Sequence, residues 1–155
     1  MLANAIEPNC VFFEMIDPEK GTKVTEKEDV LRIMTQKLCA SIGLPDCKDI
    51  LDSVYSRENE RSTGIERGLA VPHCRTGAVK RIHISLAILK EGIDWGSFDG
   101  KPTHFIFLVV GPNDKPEEYL KLLSQISRLM KSDTIRERLY DAKTPQEVIA
   151  LLKEE

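Results

Sequence analysis

The chain has 155 residues, 41% of them hydrophobic and 30% charged, with 22 Lys+Arg against 25 Asp+Glu for a formal net charge of −3. This profile belongs to one globular domain with a real hydrophobic core, and it excludes disordered, collagenous and membrane-spanning classes. The slight acidic excess argues against binding nucleic acid by neutralising phosphates, a mode that needs a basic surplus.

No linker, low-complexity tract or repeat divides residues 1–155, which read as a single domain. Val11-Phe12-Phe13-Glu14-Met15-Ile16 is rich in β-formers and stops at Asp17-Pro18, so a first strand is expected there. Thr25-Glu26-Lys27-Glu28 has the capping-box pattern, and Val30, Ile33, Met34, Leu38 and Ile42 follow at helical spacing before Gly43. A second helix is expected after Pro45-Asp46, with Ile50, Leu51, Val54 and Tyr55 as its apolar stripe and Arg57 near its end. From Glu58 to Gly68 the periodicity gives way to a loop; Leu69-Ala70-Val71 is a short strand ended by Pro72, and His73 follows at its edge.

Ile82 to Leu89 and Thr103 to Val110 read as two more strands, the second with the unbroken apolar character of a strand covered on both faces. Asp99-Gly100 is a turn signal between them, so an antiparallel pair is expected. The remainder is helical: one helix capped by Asn113-Asp114 and running to Met130, a short one over Thr134 to Asp141, and one opened by Thr144-Pro145-Gln146-Glu147. The order of elements implies an α/β fold, a mixed β-sheet covered by helices on both faces.

Cys10, Cys39, Cys47 and Cys74 are scattered and none forms a Cys-x-x-Cys pair, so neither a disulfide framework nor a structural zinc site is expected. Residues 1–15 have no basic segment ahead of an apolar one, and no apolar run approaches bilayer length. The expectation is a cytoplasmic protein with reduced thiols, no nucleic-acid partner and no direct insertion into a membrane.

There are three histidines, each weighed on its surroundings. His83 lies within an alternating strand and His104 opens an apolar one; both read as structural. His73 stands at the end of a strand behind a glycine-containing loop, where side chains enter crevices. With an unperturbed pKa of about 6.5, its neutral imidazole is a competent nucleophile or base. No Gly-x-Ser-x-Gly elbow supports a hydrolase triad, and no His-Glu-x-x-His or paired Cys motif supports a metal. Ser62 and Thr63 offer hydroxyls, Gly64 and Gly68 allow backbone N–H groups to turn inward, and Arg57 offers a guanidinium fork, a set suited to an anion. On composition alone the same residues also fit a plain turn beside a solvated helix-end cation.

The ordered string Arg57-Glu58-Asn59-Glu60-Arg61-Ser62-Thr63-Gly64-Ile65-Glu66-Arg67-Gly68-Leu69-Ala70-Val71-Pro72-His73 closely resembles the active-site segment of fructose/mannitol-type enzyme IIA domains of the bacterial phosphotransferase system, a family that includes a nitrogen-regulatory branch. Phe98-Asp99-Gly100-Lys101-Pro102 and the Leu-rich helix from Glu118 extend the resemblance over nearly the whole chain. It implies a type 2 IIA fold in which His73 forms a tele-phosphohistidine intermediate and Arg57, Ser62, Thr63, Gly64 and Tyr119 line the phosphate. The implied partners are the histidine phosphocarrier protein HPr as donor and an enzyme IIB protein or domain as acceptor, with no metal or other cofactor. The alternative implied role is that of a nitrogen-regulatory protein whose His73 phosphorylation switches its binding to regulatory partners. A chain this short leaves room for one IIA domain, so its partners are expected to be separate proteins.

Departures from the family pattern cluster around the implied site. Tyr119 stands where a second histidine is common, Glu66 where a small residue is common and Cys74 where glycine is common. A tyrosine donates a hydrogen bond to a phosphoryl oxygen but supplies no positive charge. Tyr119 reads equally as an apolar-face helix residue whose hydroxyl reaches solvent. Glu66 would weaken a phosphorylated state if it pointed inward.

Overall fold

The computed structural model describes residues 2–153. A short helix α1 (Leu2–Ala5) leads into strand β1 (Ile6–Phe12), followed by helices α2 (Lys27–Ser41) and α3 (Lys48–Glu60). Strands β2 (Leu69–Ala70), β3 (His73–Thr76), β4 (His83–Ile93) and β5 (Thr103–Pro112) come next, and helices α4 (Pro116–Leu129), α5 (Asp133–Asp141) and α6 (Pro145–Lys153) close the order. The five-stranded sheet runs β1-β4-β5-β2, with β3 also paired to β5. β4 and β5 are antiparallel, and the other pairings are parallel. The mixed sheet expected from the element order is therefore present.

Strand periodicity sorts the core into two layers. On β5, Phe105, Phe107 and Val109 face one side and pack with Tyr119, Leu122 and Ile126 of α4 and Val148 and Leu152 of α6. Ile106, Leu108 and Val110 face the other side and pack with Val30, Met34 and Leu38 of α2 and Ile50 and Val54 of α3. Helices cover both faces, which is why β5 reads as an unbroken apolar run rather than an alternating one.

Besides strand β3, which the sequence expectation lacks, and α4, which starts after Lys115 with no side-chain cap bond rather than being capped by Asn113-Asp114, three features differ from the sequence expectation. The first strand lies earlier, at Ile6–Phe12, as an edge strand whose register shifts between Ile6 and Val11, a break that accommodates Pro8. The β-forming residues after it fold back instead, in a reversal where the Asp17 carboxylate accepts from Glu19 N at 2.9 Å and from Arg32 Nη2 at 2.9 Å. Second, α2 begins after Glu26 with no side-chain cap bond, so the Thr25 box does not form, whereas Thr144 does accept from Glu147 N at 3.2 Å. Third, Cys39 and Cys47 form a disulfide, contrary to the expectation of reduced thiols. The tight reversal between α2 and α3 brings their Cα atoms to 5.9 Å, within bridging range. Cys10 and Cys74 are free and buried.

The two histidines read as structural are so. His83 is buried with Nδ1 3.0 Å from Glu7 Oε2, and His104 Nδ1 lies 2.8 Å from the Leu89 carbonyl. Among the described residues no helix is long and apolar enough to cross a membrane.

Candidate functional site

The site forms at a break in the sheet edge. β2 and β3 follow one another along the same side of β5, separated by Val71 and Pro72. Proline has no N–H for the ladder, but its carbonyl still accepts from Val109 N at 3.0 Å, so the edge resumes in register with His73 opposite Val109. Both backbone polar groups of Val71 are also engaged. Val71 N donates to the Thr63 carbonyl at 3.2 Å, and the Val71 carbonyl takes the His73 ring.

That last contact fixes the chemistry of the imidazole. His73 Nδ1 lies 2.7 Å from Val71 O. A carbonyl only accepts, so Nδ1 carries the hydrogen and Nε2 presents its lone pair. Partial burial pushes the His73 pKa below its ordinary value of 6.5, and the nearby Arg57 charge pushes it the same way against the Val71 bond and Glu58. Neutral His73 is thus the prevailing form near neutral pH, with a nucleophilic nitrogen available.

Two hollows of about 840 and 540 Å³ meet at His73 and Arg57, which line both. Arg57, in the last turn of α3, donates from Nη1 to the Arg61 carbonyl at 2.8 Å. Among the described residues no carboxylate forms an ion pair with it, although Asp52 and Glu60 line the same larger hollow. Arg61 joins the smaller hollow and Arg75 the larger one.

The loop from Arg61 to Gly68 is braced by a buried ionic cluster that the sequence analysis did not identify. Glu58, 4% exposed, accepts from Thr63 N at 2.8 Å and from Thr63 Oγ1, and pairs with Lys27 Nζ at 2.7 Å. Lys27 also donates to the Trp95 carbonyl at 3.0 Å and lies 5.1 Å from the centroid of the Trp95 ring. Ser62 Oγ donates to the same carbonyl at 2.9 Å and accepts from Gly64 N at 3.1 Å. Ile65 N donates to the Leu69 carbonyl at 2.8 Å. The Ser62 and Thr63 hydroxyls and the Thr63, Gly64 and Ile65 N–H groups of this loop therefore already serve protein acceptors rather than pointing inward as the expected nest. A Cβ on Gly64 would collide with the Ser97 side chain and stand 3.0 Å from Trp95 Cδ1, so only glycine permits this close approach.

Tyr119 resolves one of the open readings. The residue is 5% exposed, its ring meets the His73 ring edge to face at 5.9 Å between centroids, and its buried hydroxyl has no hydrogen-bond partner among the described residues. The hydroxyl does not reach solvent as a surface residue's would. Burial pushes its pKa up, keeping it a donor. Glu66 faces solvent beside Arg67, with Nη1 to Oε1 at 2.6 Å, so the inward placement that would oppose a phosphoryl group does not occur. Burial raises the Cys74 thiol to about 11, and its side chain packs in the α2/α3 layer.

The structure thus brings His73, Arg57 and Tyr119 to the larger hollow and places Ser62, Thr63 and Gly64 on a braced wall of the smaller one, which His73 and Arg57 also line. Arg75, Arg61 and Glu58 were missed. In the sequence Glu58 directly follows Arg57, Arg61 directly precedes Ser62, and Arg75 lies two residues beyond His73 at strand period. Among the described residues no group of three or more His, Cys, Asp or Glu is placed to hold a metal ion.

Comparisons with known proteins agree with the geometry. Residues 14–155 match the family model described as "Phosphoenolpyruvate-dependent sugar phosphotransferase system, EIIA 2". The chain is 35% identical over 118 residues to the fructose-specific EIIA component of Haloferax volcanii, covering 76% of this chain and 77% of that one. It superposes with a TM-score of 0.86 on the nitrogen regulatory protein IIA-Ntr from Neisseria meningitidis, at 25% identity over 97% of this chain and 98% of that one. A mannitol IIA of Escherichia coli, solved in complex with phosphorylated IIB, shares the fold at a TM-score of 0.74 and 16% identity, covering 97% and 99% of the two chains. The chain spans 20% of the length of longer relatives such as the fructose-specific EIIABC component of Bacillus subtilis. With its fold, its edge-strand histidine and its family match in agreement, the chain belongs to the type 2 enzyme IIA family of phosphotransferase-system components.

Proposed function

We propose that the protein is a phosphocarrier in which His73 Nε2 accepts a phosphoryl group from a phosphohistidine on an HPr-type carrier protein and passes it to an enzyme IIB partner. The observation that carries this reading is the Nδ1–H bond to Val71 O, which leaves Nε2 unprotonated beside Arg57. In the forward step the Nε2 lone pair forms the new N–P bond while the donor's N–P bond breaks, its electron pair staying on the donor nitrogen. His73 keeps its Nδ1 hydrogen, and the carbonyl of Val71 stabilises the positive charge that develops on the ring.

Such a transfer needs in-line placement and compensation of charge on the equatorial oxygens rather than covalent chemistry from the protein. Arg57 supplies a cation at the junction of the two hollows, and Tyr119 supplies a buried donor next to the ring. Ser62, Thr63 and Gly64 hold the wall, their donors turned towards the protein. The IIB reading draws on the mannitol IIA complex named above, and the sugar is left open by every feature of the site.

The superposition on the Neisseria nitrogen-regulatory protein favours a second reading, in which phosphorylation of His73 switches partner affinity. One preparation tests both. The protein is incubated with a phosphorylated HPr-type carrier and followed by mass spectrometry, with wild type expected to gain one phosphoryl group and His73→Ala none. Equal labelling of the two proteins would sink the proposal. Transfer onward to a IIB protein supports the carrier role, whereas a partner retained only by one phosphorylation state supports the switch.

A further inference from the structure

We propose that Arg75 is a second phosphate-compensating cation of this site, acting with the Tyr119 hydroxyl on the phosphoryl group carried by His73. This rests on the phosphocarrier reading and deepens it.

The inference begins with strand geometry. His73 and Arg75 are two residues apart on β3, so they leave the same face of the strand with Cα atoms about 6.6 Å apart. Cys74, between them, turns to the opposite layer. Arg75 and His73 both line the larger hollow, and so do Arg57 and Tyr119. A guanidinium at the end of a side chain as long as that of Arg75 reaches across this distance.

The surroundings of Arg75 leave its charge available. Among the described residues no hydrogen bond or ion pair engages its guanidinium, and its carbon sits 5.9 Å from the centroid of the Tyr119 ring. The ring that steers it is itself admitted by a glycine. Gly111 faces Arg75 in the β3–β5 register, and a Cβ there would stand 2.5 Å from Tyr119 Cδ1. Gly111, Tyr119 and Arg75 therefore form one packed set in which the first makes room, the second lies against His73, and the third lies over the second.

Charge supplies the reason. A phosphoryl group carries roughly two negative charges at neutral pH. Arg57 offers one positive charge, and neutral Tyr119 offers a hydrogen bond without any. The Tyr119 phenol hydroxyl is buried and has no hydrogen-bond partner among the described residues, and a phosphoryl oxygen would give it one. Arg75 brings the second positive charge to the same hollow, so the pair Arg75 and Tyr119 divides between two side chains the charge and the donor that one protonated ring would combine.

A small donor separates this role from protein docking. Phosphoramidate phosphorylates an accessible imidazole directly: its P–N bond breaks, the nitrogen leaves as ammonia with a proton from water, and the Nε2–P bond forms. The rate of His73 labelling is measured by mass spectrometry for wild type, Arg75→Gln, Arg75→Lys and Tyr119→Phe, with folding checked by circular dichroism. Arg75→Gln is expected to slow labelling about fivefold to tenfold, the size of a charge-assisted contact discounted for exposure. Arg75→Lys should recover part of that loss, and Tyr119→Phe should slow labelling by a similar factor. An Arg75→Gln rate equal to wild type overturns the proposal, as does a loss seen only with a phosphorylated carrier protein, which would make Arg75 a docking residue. Wild type that takes no phosphate on His73 from either donor overturns the phosphocarrier reading and this proposal with it.

Discussion

Replacing Glu58 with Gln removes one charge from a buried cluster at nearly constant volume, so it isolates what the ionic brace contributes to the site loop. The carboxylate is 4% exposed and accepts from Lys27 Nζ at 2.7 Å, Thr63 N at 2.8 Å and Thr63 Oγ1. A glutamine amide keeps one acceptor oxygen and puts an NH2 where the other stood, so either Lys27 or Thr63 meets a donor instead of an acceptor. Breaking a fully buried ion pair by removing one partner costs about 3–5 kcal/mol. Lys27 is cushioned by the Trp95 carbonyl at 3.0 Å and by 19% exposure of its side chain, which places the cost at about 2–3 kcal/mol. For a domain of this size that is a fall in Tm of roughly 4–12 °C. Urea unfolding at unchanged m measures it directly. The sharper expectation lies in the cycle with Lys27→Met. The double variant leaves no unpaired charge and should lose less than the sum of the single losses, by about 1–3 kcal/mol. A Glu58→Gln protein within about 0.5 kcal/mol of wild type, or single effects that simply add, would refute the reasoning.

Arg57→Ala is expected to slow single-turnover phosphoryl uptake by about 10²-fold with an unchanged unfolding midpoint, since the guanidinium lines the hollows and its one hydrogen bond among the described residues is to a helix-end carbonyl. Comparable rates for the two proteins would remove Arg57 from the site. Because burial and Arg57 lower the His73 pKa, the folded ring binds its proton less readily than the unfolded one. Its NMR titration should fall below the ordinary 6.5, and Arg57→Ala should move it upward; a midpoint at or above 6.5 contradicts the assignment. The sign for stability follows: the contribution of His73 is lost as pH falls from the unfolded value towards the lower folded one. Reducing the Cys39–Cys47 disulfide, whose cysteines are separated by 8 in sequence, should lower stability by about 2 kcal/mol, read as a shift in urea midpoint on adding dithiothreitol. No shift, with both thiols shown to be free beforehand by alkylation, would count against the bridge.

What was legible in the sequence is what local rules govern. Val71-Pro72-His73 specifies its own outcome because proline interrupts the ladder and a histidine two residues past a carbonyl can close a ring onto it. The apolar run of β5 announces a strand covered twice, since both of its faces meet core. The misplaced first strand shows where local rules fail. Val11 to Ile16 has strong β-propensity, but pairing with β4 and the Asp17–Arg32 contact decide the register, and those partners are distant in sequence. Lys27 with Glu58, Cys39 with Cys47, and Gly111 with Tyr119 are of the same kind. Nothing in the residues beside Glu58 says that a lysine from the start of α2 will cover it.

This division has a consequence for how the site is built. Its nucleophile is held by nearby backbone: Val71 O orients the ring and Pro72 O returns the chain to β5. Its charge environment is held by side chains from other elements, with Arg57 on α3, Tyr119 on α4 and Lys27 on α2 acting through Glu58. A histidine fixed by the carbonyl of Val71 keeps its tautomer when the surrounding cations are exchanged, so substitutions at positions 75 and 119 can change the rate of transfer without changing which nitrogen reacts. The replacement of a charge at one position by a charge at another is therefore tolerated here more readily than any change at His73 itself. An unaltered Nδ1–H resonance of His73 in Arg57→Ala and Arg75→Gln, alongside altered rates, is the expected signature. Loss of that resonance in either variant would mean that tautomer and charge are coupled, so that the backbone alone does not set which nitrogen reacts.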